Sequence, residues 1–428
     1  MINDPSVHPA VADAVAHSYR NEWAYVLAAT VRVTADLDIA EECTQSAFAK
    51  ALTSWTETSI PDRPGAWLTT AARHAAIDLK RRQSTMQRKL PLLIEPEDGR
   101  SYVWGATRTI DDDRLRLIFT CCHPALGEQS QIALTLRLVC GLSTTEVARA
   151  FLVSESTMAA RITRAKRKIS QARIPYRTPE HHEIETRLAP VLQVVHLVFT
   201  TGHAAPDGDE LFRSDLLDRS FALARMLHEL LPLSPSVGGL LALILLTDAR
   251  REGRTNQKGL VLLSEQDRAR WNQSMIDEGC TLIDEFRRVD EPNFYILMAA
   301  ISREHCVAAT WNETNWPSIV QSYDVLMSEW PSPVLALNRA VAIGFTLGAE
   351  AGLSELESLT NEPQLANYPY FSVARGDFMR RLGRITEARK YYDEAILLTE
   401  NHAERQFLER QLYDLVESDV LYSPVNQR

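Results

Sequence analysis

Gly141–Ile169, GLSTTEVARAFLVSESTMAARITRAKRKI, is the stretch on which the reading of this chain turns. It describes two short helices joined by a tight turn, the second strongly basic. Ser143 followed three residues later by Glu146 is a capping-box pattern, in which each side chain satisfies an amide left orphaned at a helix start. The first helix turns Val147, Ala148 and Phe151 inward. Leu152 and Val153 make the turn, and Ser154 is the natural N-cap of the second helix, with Thr157 at N3.

In that second helix Met158, Ile162, Ala165 and Ile169 share one face, at steps of four, three and four. Thr157, Arg161, Arg164 and Lys168 keep the same spacing one position away and form an outward stripe, which Lys166 and Arg167 widen. A helix apolar on one side and carrying five cations between Arg161 and Ile169 suits a recognition helix in a DNA major groove. The plainer alternative is a solvated last turn whose cations complement the helix dipole. Caps, turn and stripe together favour DNA.

Working outward, 428 residues suffice for several domains, each with its own core. No apolar run approaches the roughly 20 residues needed to span a bilayer, and the first residues lack a signal-peptide layout. Six cysteines in so long a chain make no disulfide framework, so the expected compartment is a reducing cytoplasm, with no membrane attachment. The net charge of −10 is uneven. Residues 1–175 hold 22 Lys+Arg and 19 Asp+Glu, whereas the remainder holds 24 and 37, which implies different partners for the two halves.

Upstream, helical patterns run from Asp13 to Val33 and from about Asp38 to Trp55. The first aligns Val15, Tyr19, Trp23, Val26 and Thr30. The second buries Ala40, Cys43, Ala47, Phe48, Ala51 and Trp55, and turns Glu41, Glu42, Gln45 and Lys50 away. Those early carboxylates also suit a helix N-terminus. Pro61 and Pro64 break the chain, and Pro64 opens a third helix with Leu68, Ala71, Ala72, Ala75 and Leu79 inward. Its other stripe is Trp67, Thr70, His74, Asp78 and Arg81, flanked by Arg73, Lys80 and Arg82. Aromatic and basic groups on one exposed face supply what single-stranded DNA needs, a stacking platform and phosphate neutralisation, although a tryptophan at a helix start is also a common core residue.

Residues 83–112, with Pro91, Pro96, Gly99 and Gly105, have no sustained period and read as a linker. Asp111, Asp112 and Asp113 open the next helix, through Leu115, Ile118 and Phe119; another, from about Ser130 to Cys140, leads to Gly141 as a C-cap.

The order of these parts resembles that of the bacterial extracytoplasmic-function (ECF) sigma factors, over residues of about 10–175. DIAEECTQSAFAKAL resembles the family's core-polymerase-binding segment, PGAWLTTAARHAAIDLKRR its promoter-melting helix, and LRLVCGLSTTEVARAFLVSESTMAARITRAKRKI its C-terminal helix-turn-helix. Many family members have Asn where His74 stands, which bears on base preference. The resemblance implies an all-α protein divided into a region-two-like domain (1–82), a linker (83–112), a region-four-like helix-turn-helix domain (113–175) and a helical extension (176–428). It implies core RNA polymerase and promoter DNA as partners. Asp38, Glu41, Glu42 and Gln45 would meet polymerase; Trp67, Arg73, His74, Asp78 and Arg81 the opened promoter element nearest the start site. Ser156, Thr157, Arg161 and Arg164 would read or clasp the distant element, with Lys166, Arg167 and Lys168 mainly on phosphate.

The back half is punctuated at its entry by Pro175, Pro179 and Pro190 and is helical, without clear strand alternation. Gly376, Leu382-Gly383, Ala388, Tyr392 and Ala395, from about Pro369 to His402, resemble a tetratricopeptide (TPR) repeat, with weaker copies at Leu347-Gly348 and at Tyr323 with Pro331. An irregular helical bundle is the alternative. The combination resembles the sigma-factor subgroup with a long TPR-like extension, and an intramolecular contact between extension and sigma domains is expected.

No catalytic constellation, phosphate-binding loop or nucleophile elbow is found, so no enzyme activity and no cofactor are expected. Cys121, Cys122 and His123 are too close together to share one metal ion well; His228-Glu229 has Pro232 where a zincin needs His; His181 and His182, beside Glu183 and Glu185, read as a solvated helix start. No metal is expected. A helix-turn-helix regulator with a TPR-like sensor, or a helical scaffold, remains the rival reading, and residues 38–82 discriminate, because neither needs a polymerase-docking helix or a melting face.

Overall fold

The computed structural model describes residues 8–422 except 88–112, 152, 175, 178, 180, 204–210, 258 and 287–291. Most of the linker, Leu152 of the turn, Asp111, Asp112 and Pro175 lie outside the described residues. Among the described residues the fold is all-α apart from one hairpin of two short strands. Two compact units divide the chain, Met1–Val195 and His196–Arg428.

The first unit begins with α1 (Pro9–Thr34), α2 (Leu37–Ser54) and α3 (Pro64–Gln87). Ala35 in the left-handed conformation, φ 55°, ends α1, and the Asp36 carboxylate caps α2 by accepting the amides of Asp38 and Ile39 at 2.8 and 3.0 Å. Trp23, Val26 and Leu27, Ala40, Cys43 and Ala47, and Leu68, Ala72 and Ala76 fill the shared core. The buried stripe of α3 is rotated slightly from the expected one: Ala76 is fully buried, while Ala71, Ala75 and Leu79 are half-buried.

Next come α4 (Asp113–Cys121), α5 (Glu128–Leu134) continued by a π-helical turn (Thr135–Val139), α6 (Thr144–Ala150) and α7 (Glu155–Gln171). The capping box forms as read: the Ser143 amide donates to Glu146 Oε2 at 2.6 Å and the Glu146 amide to Ser143 Oγ at 3.2 Å. Ser154 caps α7 by accepting the Thr157 amide at 3.2 Å. α1 packs against α4 and the π turn. There Trp23 Nε1 donates to the Leu138 carbonyl and the Tyr19 hydroxyl to that of Gly141, each at 3.0 Å. Gly141 needs to be glycine twice over: its φ is +73°, and a Cβ would lie 3.0 Å from the Trp23 ring.

α8 (His181–His203) spans the boundary in sequence and contains Pro190, which therefore does not punctuate a helix end. The second unit holds α9 (Ser214–Leu230) and α10 (Pro235–Asp248), whose residues from Val237 to Leu246 are all buried. β1 (Thr255–Asn256) and β2 (Gly259–Leu260) pair antiparallel. Then follow α11 (Gln273–Phe286), α12 (Phe294–Val307), α13 (Trp316–Glu329), α14 (Pro333–Thr346), α15 (Ala349–Ser358), α16 (Pro369–Arg381), α17 (Ile385–Leu398) and α18 (His402–Tyr422). From α13 onward each helix packs on the next in the chain. Where the small-residue pattern was read, Ala388, Tyr392 and Ala395 are buried, Leu382-Gly383 turns between α16 and α17, and a Cβ on Gly376 would meet the Tyr392 ring at 3.4 Å.

Candidate nucleic-acid interface

α3 presents most of its polar stripe to solvent. Arg73, His74, Asp78 and Arg81 are exposed. Trp67 is half-buried with its ring edge-on to Trp55, centroids 5.4 Å apart, so it has both a core contact and an accessible side. Lys80 is committed to the end of α1, where its ammonium donates to the Val33 carbonyl at 2.6 Å, as a cation at a helix C-terminus should.

α7 has the expected apolar seam, with Met158, Ile162, Ala165 and Ile169 buried. Ser156, Thr157, Arg164, Arg167 and Lys168 are exposed, and the Thr157 and Ser154 hydroxyls lie 2.8 Å apart. Arg161 is half-buried, its guanidinium over the Phe151 ring at 5.2 Å from the centroid, which ties the two helices of the motif together.

Lys166 corrects the sequence reading. Expected on the outward stripe, it is turned instead toward α2, where its ammonium donates to Asp38 Oδ1 and Glu41 Oε2, each at 2.7 Å. The cause is position: Lys166 flanks the buried Ala165 on the side that meets α2. Burial alone would pull its pKa down, but the charges and hydrogen bonds of Glu41 and Asp38 outweigh that and raise it. Glu41, read as turned away from the core, is likewise buried, because it also pairs with Arg137 of the π turn. Gln45 donates to Glu41 Oε1 at 3.3 Å, and Glu42 stays exposed. Arg137 was missed in the sequence; its signal was a lone cation inside the apolar run ALTLRLVCGL. A crevice of about 290 Å³ runs beside these contacts, lined among others by Val31, Leu37, Asp38, Lys166, Ile169 and Tyr176.

No group of three metal-ligating side chains lies together among the described residues. Cys121 and Cys122 are buried, and burial pushes the Cys122 thiol up to about 12, against the thiolate a metal requires. The side chains of His181, His182, Glu183 and Glu185 lie outside the described residues. In the second unit a crevice of about 410 Å³ is lined by Trp311, Phe345, Tyr370, Asp377, Arg381 and Phe407 among others. Arg381 lies 3.9 Å from the Phe345 centroid, and Asp377 accepts from both Arg380 and Arg381 at 2.6 Å. No described helix is long and apolar enough to cross a membrane.

Residues 19–85 match the family model of sigma-70 region 2, residues 116–169 that of sigma-70 region 4, and residues 187–287 a family of unknown function, DUF6596. An uncharacterised protein of Rhizobium meliloti is 41% identical over 391 residues, 90% of this chain and 92% of that one. A probable ECF RNA polymerase sigma factor, SigI, of Mycobacterium tuberculosis is 27% identical over 179 residues, 41% of this chain and 61% of its own length. α1–α3 overlap the region 2 match and α4–α7 the region 4 match, and the chain belongs to one family with the uncharacterised Rhizobium meliloti protein, which it matches over nine tenths of both lengths.

Proposed function

We propose that the protein is an ECF-type sigma subunit that binds core RNA polymerase in the cytoplasm and directs initiation at its own set of promoters. The observation that carries this is the pairing of two helices with complementary exposed chemistry in the two matched regions. α3 offers Trp67, Arg73, His74, Asp78 and Arg81, an accessible ring among polar and basic groups, to an opened strand. α7 offers Ser156, Thr157, Arg164, Arg167 and Lys168 to a duplex groove, with Arg161 beside them. The Asp38, Glu41, Glu42 and Gln45 face of α2 docks polymerase. Run-off transcription with purified core polymerase tests the reading: the protein alone confers promoter-specific initiation, and an ordinary regulator does not.

The helical extension controls these domains in cis, by masking or by bracing them, and its TPR-like helix pairs form the regulatory surface. Its acidic balance beside the mildly basic front half supports an intramolecular contact. Transcription by full-length protein and by a chain ending near Arg173 separates the alternatives: masking raises the truncated chain's activity, bracing lowers it, and equal activity at all salt concentrations removes cis control.

A further inference from the structure

In the second unit the C-terminal ends of α8, α10 and α12 converge on three arginines. Arg254 Nη1 donates to the His203 carbonyl at 2.6 Å and Arg268 Nη1 to the His305 carbonyl at 2.7 Å, as cations at helix C-termini should. The Asn272 amide donates to the Ala249 carbonyl at 2.9 Å and the Cys306 thiol to the Leu246 carbonyl at 3.2 Å, which holds both neighbours against Arg250 at the end of α10. Those bonds leave a surplus. Arg250 Nε, Arg268 Nη2 and the Nδ1 atoms of His203 and His305 are buried without a hydrogen-bond partner among the described residues. Among the same residues no carboxylate pairs with Arg250, Arg254 or Arg268. Cys306 is no counter-ion either: its thiol keeps a proton for the Leu246 carbonyl, and burial, ahead of every other cause, raises its pKa. Water satisfies a buried donor but does not balance a buried charge, and an unpaired one is costly.

We propose that this cluster binds a dianionic phosphoryl group, borne by inorganic phosphate or by the end of a small phosphorylated molecule. Arg250 and Arg268 carry two charges, which one carboxylate would only half neutralise, and the flat guanidinium fork fits two phosphate oxygens at once. The imidazoles add donors without adding charge. Burial first, and then the nearby arginines, hold the His203 pKa well below the ordinary 6.5 and the His305 pKa at about 3, so each ring is neutral with one N–H to offer. Three of the side chains are also held in place before any ligand arrives. Arg268 lies over the Trp271 ring at 4.4 Å, Arg254 over Phe212 at 5.8 Å, and His305 stacks on Trp311 at 6.0 Å. All five are half-buried, so the cluster stays open to a small solute. The site lies wholly in the second unit and stands apart from the sigma reading.

The test is melting of the full chain in phosphate-free buffer and with inorganic phosphate, phenyl phosphate, acetate or chloride at one ionic strength. Both phosphates are expected to raise Tm, and acetate and chloride are not. A larger rise with phenyl phosphate assigns the site to the end of an organic molecule, and a larger rise with inorganic phosphate to the free ion. Arg250→Met removes an unbalanced charge, so it should hold or raise Tm without phosphate and bind phosphate about thirtyfold more weakly by calorimetry. Arg268→Met should also weaken phosphate binding, and Lys390→Met, exposed on α17, should keep the wild-type response. A wild-type Tm indifferent to phosphate, or equal rises with all four anions, overturns the site. So does an Arg250→Met protein that melts below wild type without phosphate or binds phosphate as tightly. If neither arginine variant folds, calorimetry of wild type decides: a single phosphate per chain supports the site, and none or many overturns it.

Discussion

α3 and α7 are built alike, each with an apolar seam at helical spacing and a polar face carrying Arg and Lys, yet the polar faces meet different fates. On α3, Arg73, His74, Asp78 and Arg81 are all exposed. On α7, Arg164, Arg167 and Lys168 are exposed, but Arg161 lies over Phe151 and Lys166 is drawn into a network with Asp38 and Glu41. The difference lies in the neighbours. α3 packs on α1 and α2 and leaves one side open, whereas α7 packs on α5 and α6 and also faces α2 across a charged seam. Being off the core stripe is therefore not the same as facing solvent.

The largest effect should come from the packed contact between α1 and the π turn. Trp23→Ala deletes a ring that is 1% exposed and its bond to the Leu138 carbonyl, and should cost about 3–5 kcal/mol in denaturant unfolding of the whole chain. A cost under about 1 kcal/mol would mean that the α1 contact with the π turn is incidental, and the contrast with α3 would collapse.

Next comes the charged seam between α7 and α2. Glu41→Gln leaves Lys166 and Arg137 without their shared anion and should destabilise by about 3 kcal/mol. Glu42→Gln, at the exposed neighbouring position, should stay within about 0.5 kcal/mol. Melting curves for the pair give the comparison directly; similar shifts would show that the network contributes nothing beyond surface charge.

Much of this was legible beforehand, and the limits are physical. The capping box at Ser143 and Glu146, the N-cap at Ser154 and the apolar steps of α7 are local in sequence, and they form as read. Lys166, Glu41 and Arg137 were not legible, because a pairing between residues 125 apart in sequence leaves no periodic trace. Pro190 misled for the opposite reason: proline punctuates helices locally, but α8 accommodates it in its interior. The roles of the exposed residues came from a resemblance, and no helical period distinguishes a base-reading arginine from a solvated one.

Among the α7 cations, geometry redistributes the expected DNA effects. Arg164 is exposed on the stripe, so Arg164→Ala should lose about 1–3 kcal/mol of discrimination between promoter and mismatched duplex. Arg161→Ala should act more on stability, through loss of its place over Phe151. Lys168→Ala should weaken all duplexes alike and flatten the salt dependence by about 0.9 in slope. Equal, sequence-blind losses from Arg164 and Lys168 in salt-series binding would reduce the whole face of α7 to a phosphate clasp.

The smallest effect expected is that of alkali on the closed seam, and its sign follows from Lys166. The pKa of this ammonium is raised above its ordinary 10.5: burial acts to lower it, but Glu41 and Asp38 together prevail. A group whose folded pKa is raised lends stability that is fully present below its unfolded value and lost as pH rises through the folded one. The seam should therefore be insensitive to Lys166 ionisation from pH 6 to about 9, and should loosen only above about 10.5. The other groups around it are Arg137 on Glu41, Arg173 and Tyr176 along the crevice, and Cys121 nearby. The Tyr176 and Cys121 pKa values are both raised, first by burial, so each stays neutral over the neutral range. Since those groups titrate in wild type and in Lys166→Gln alike, the difference between the two proteins' stability curves isolates Lys166. That difference should be flat through neutrality and shrink above about pH 10.5. A difference that instead changes between pH 6 and 8 would mean that a group other than Lys166 controls the seam, and α7 would then be held to α2 by chemistry that its own helix does not carry.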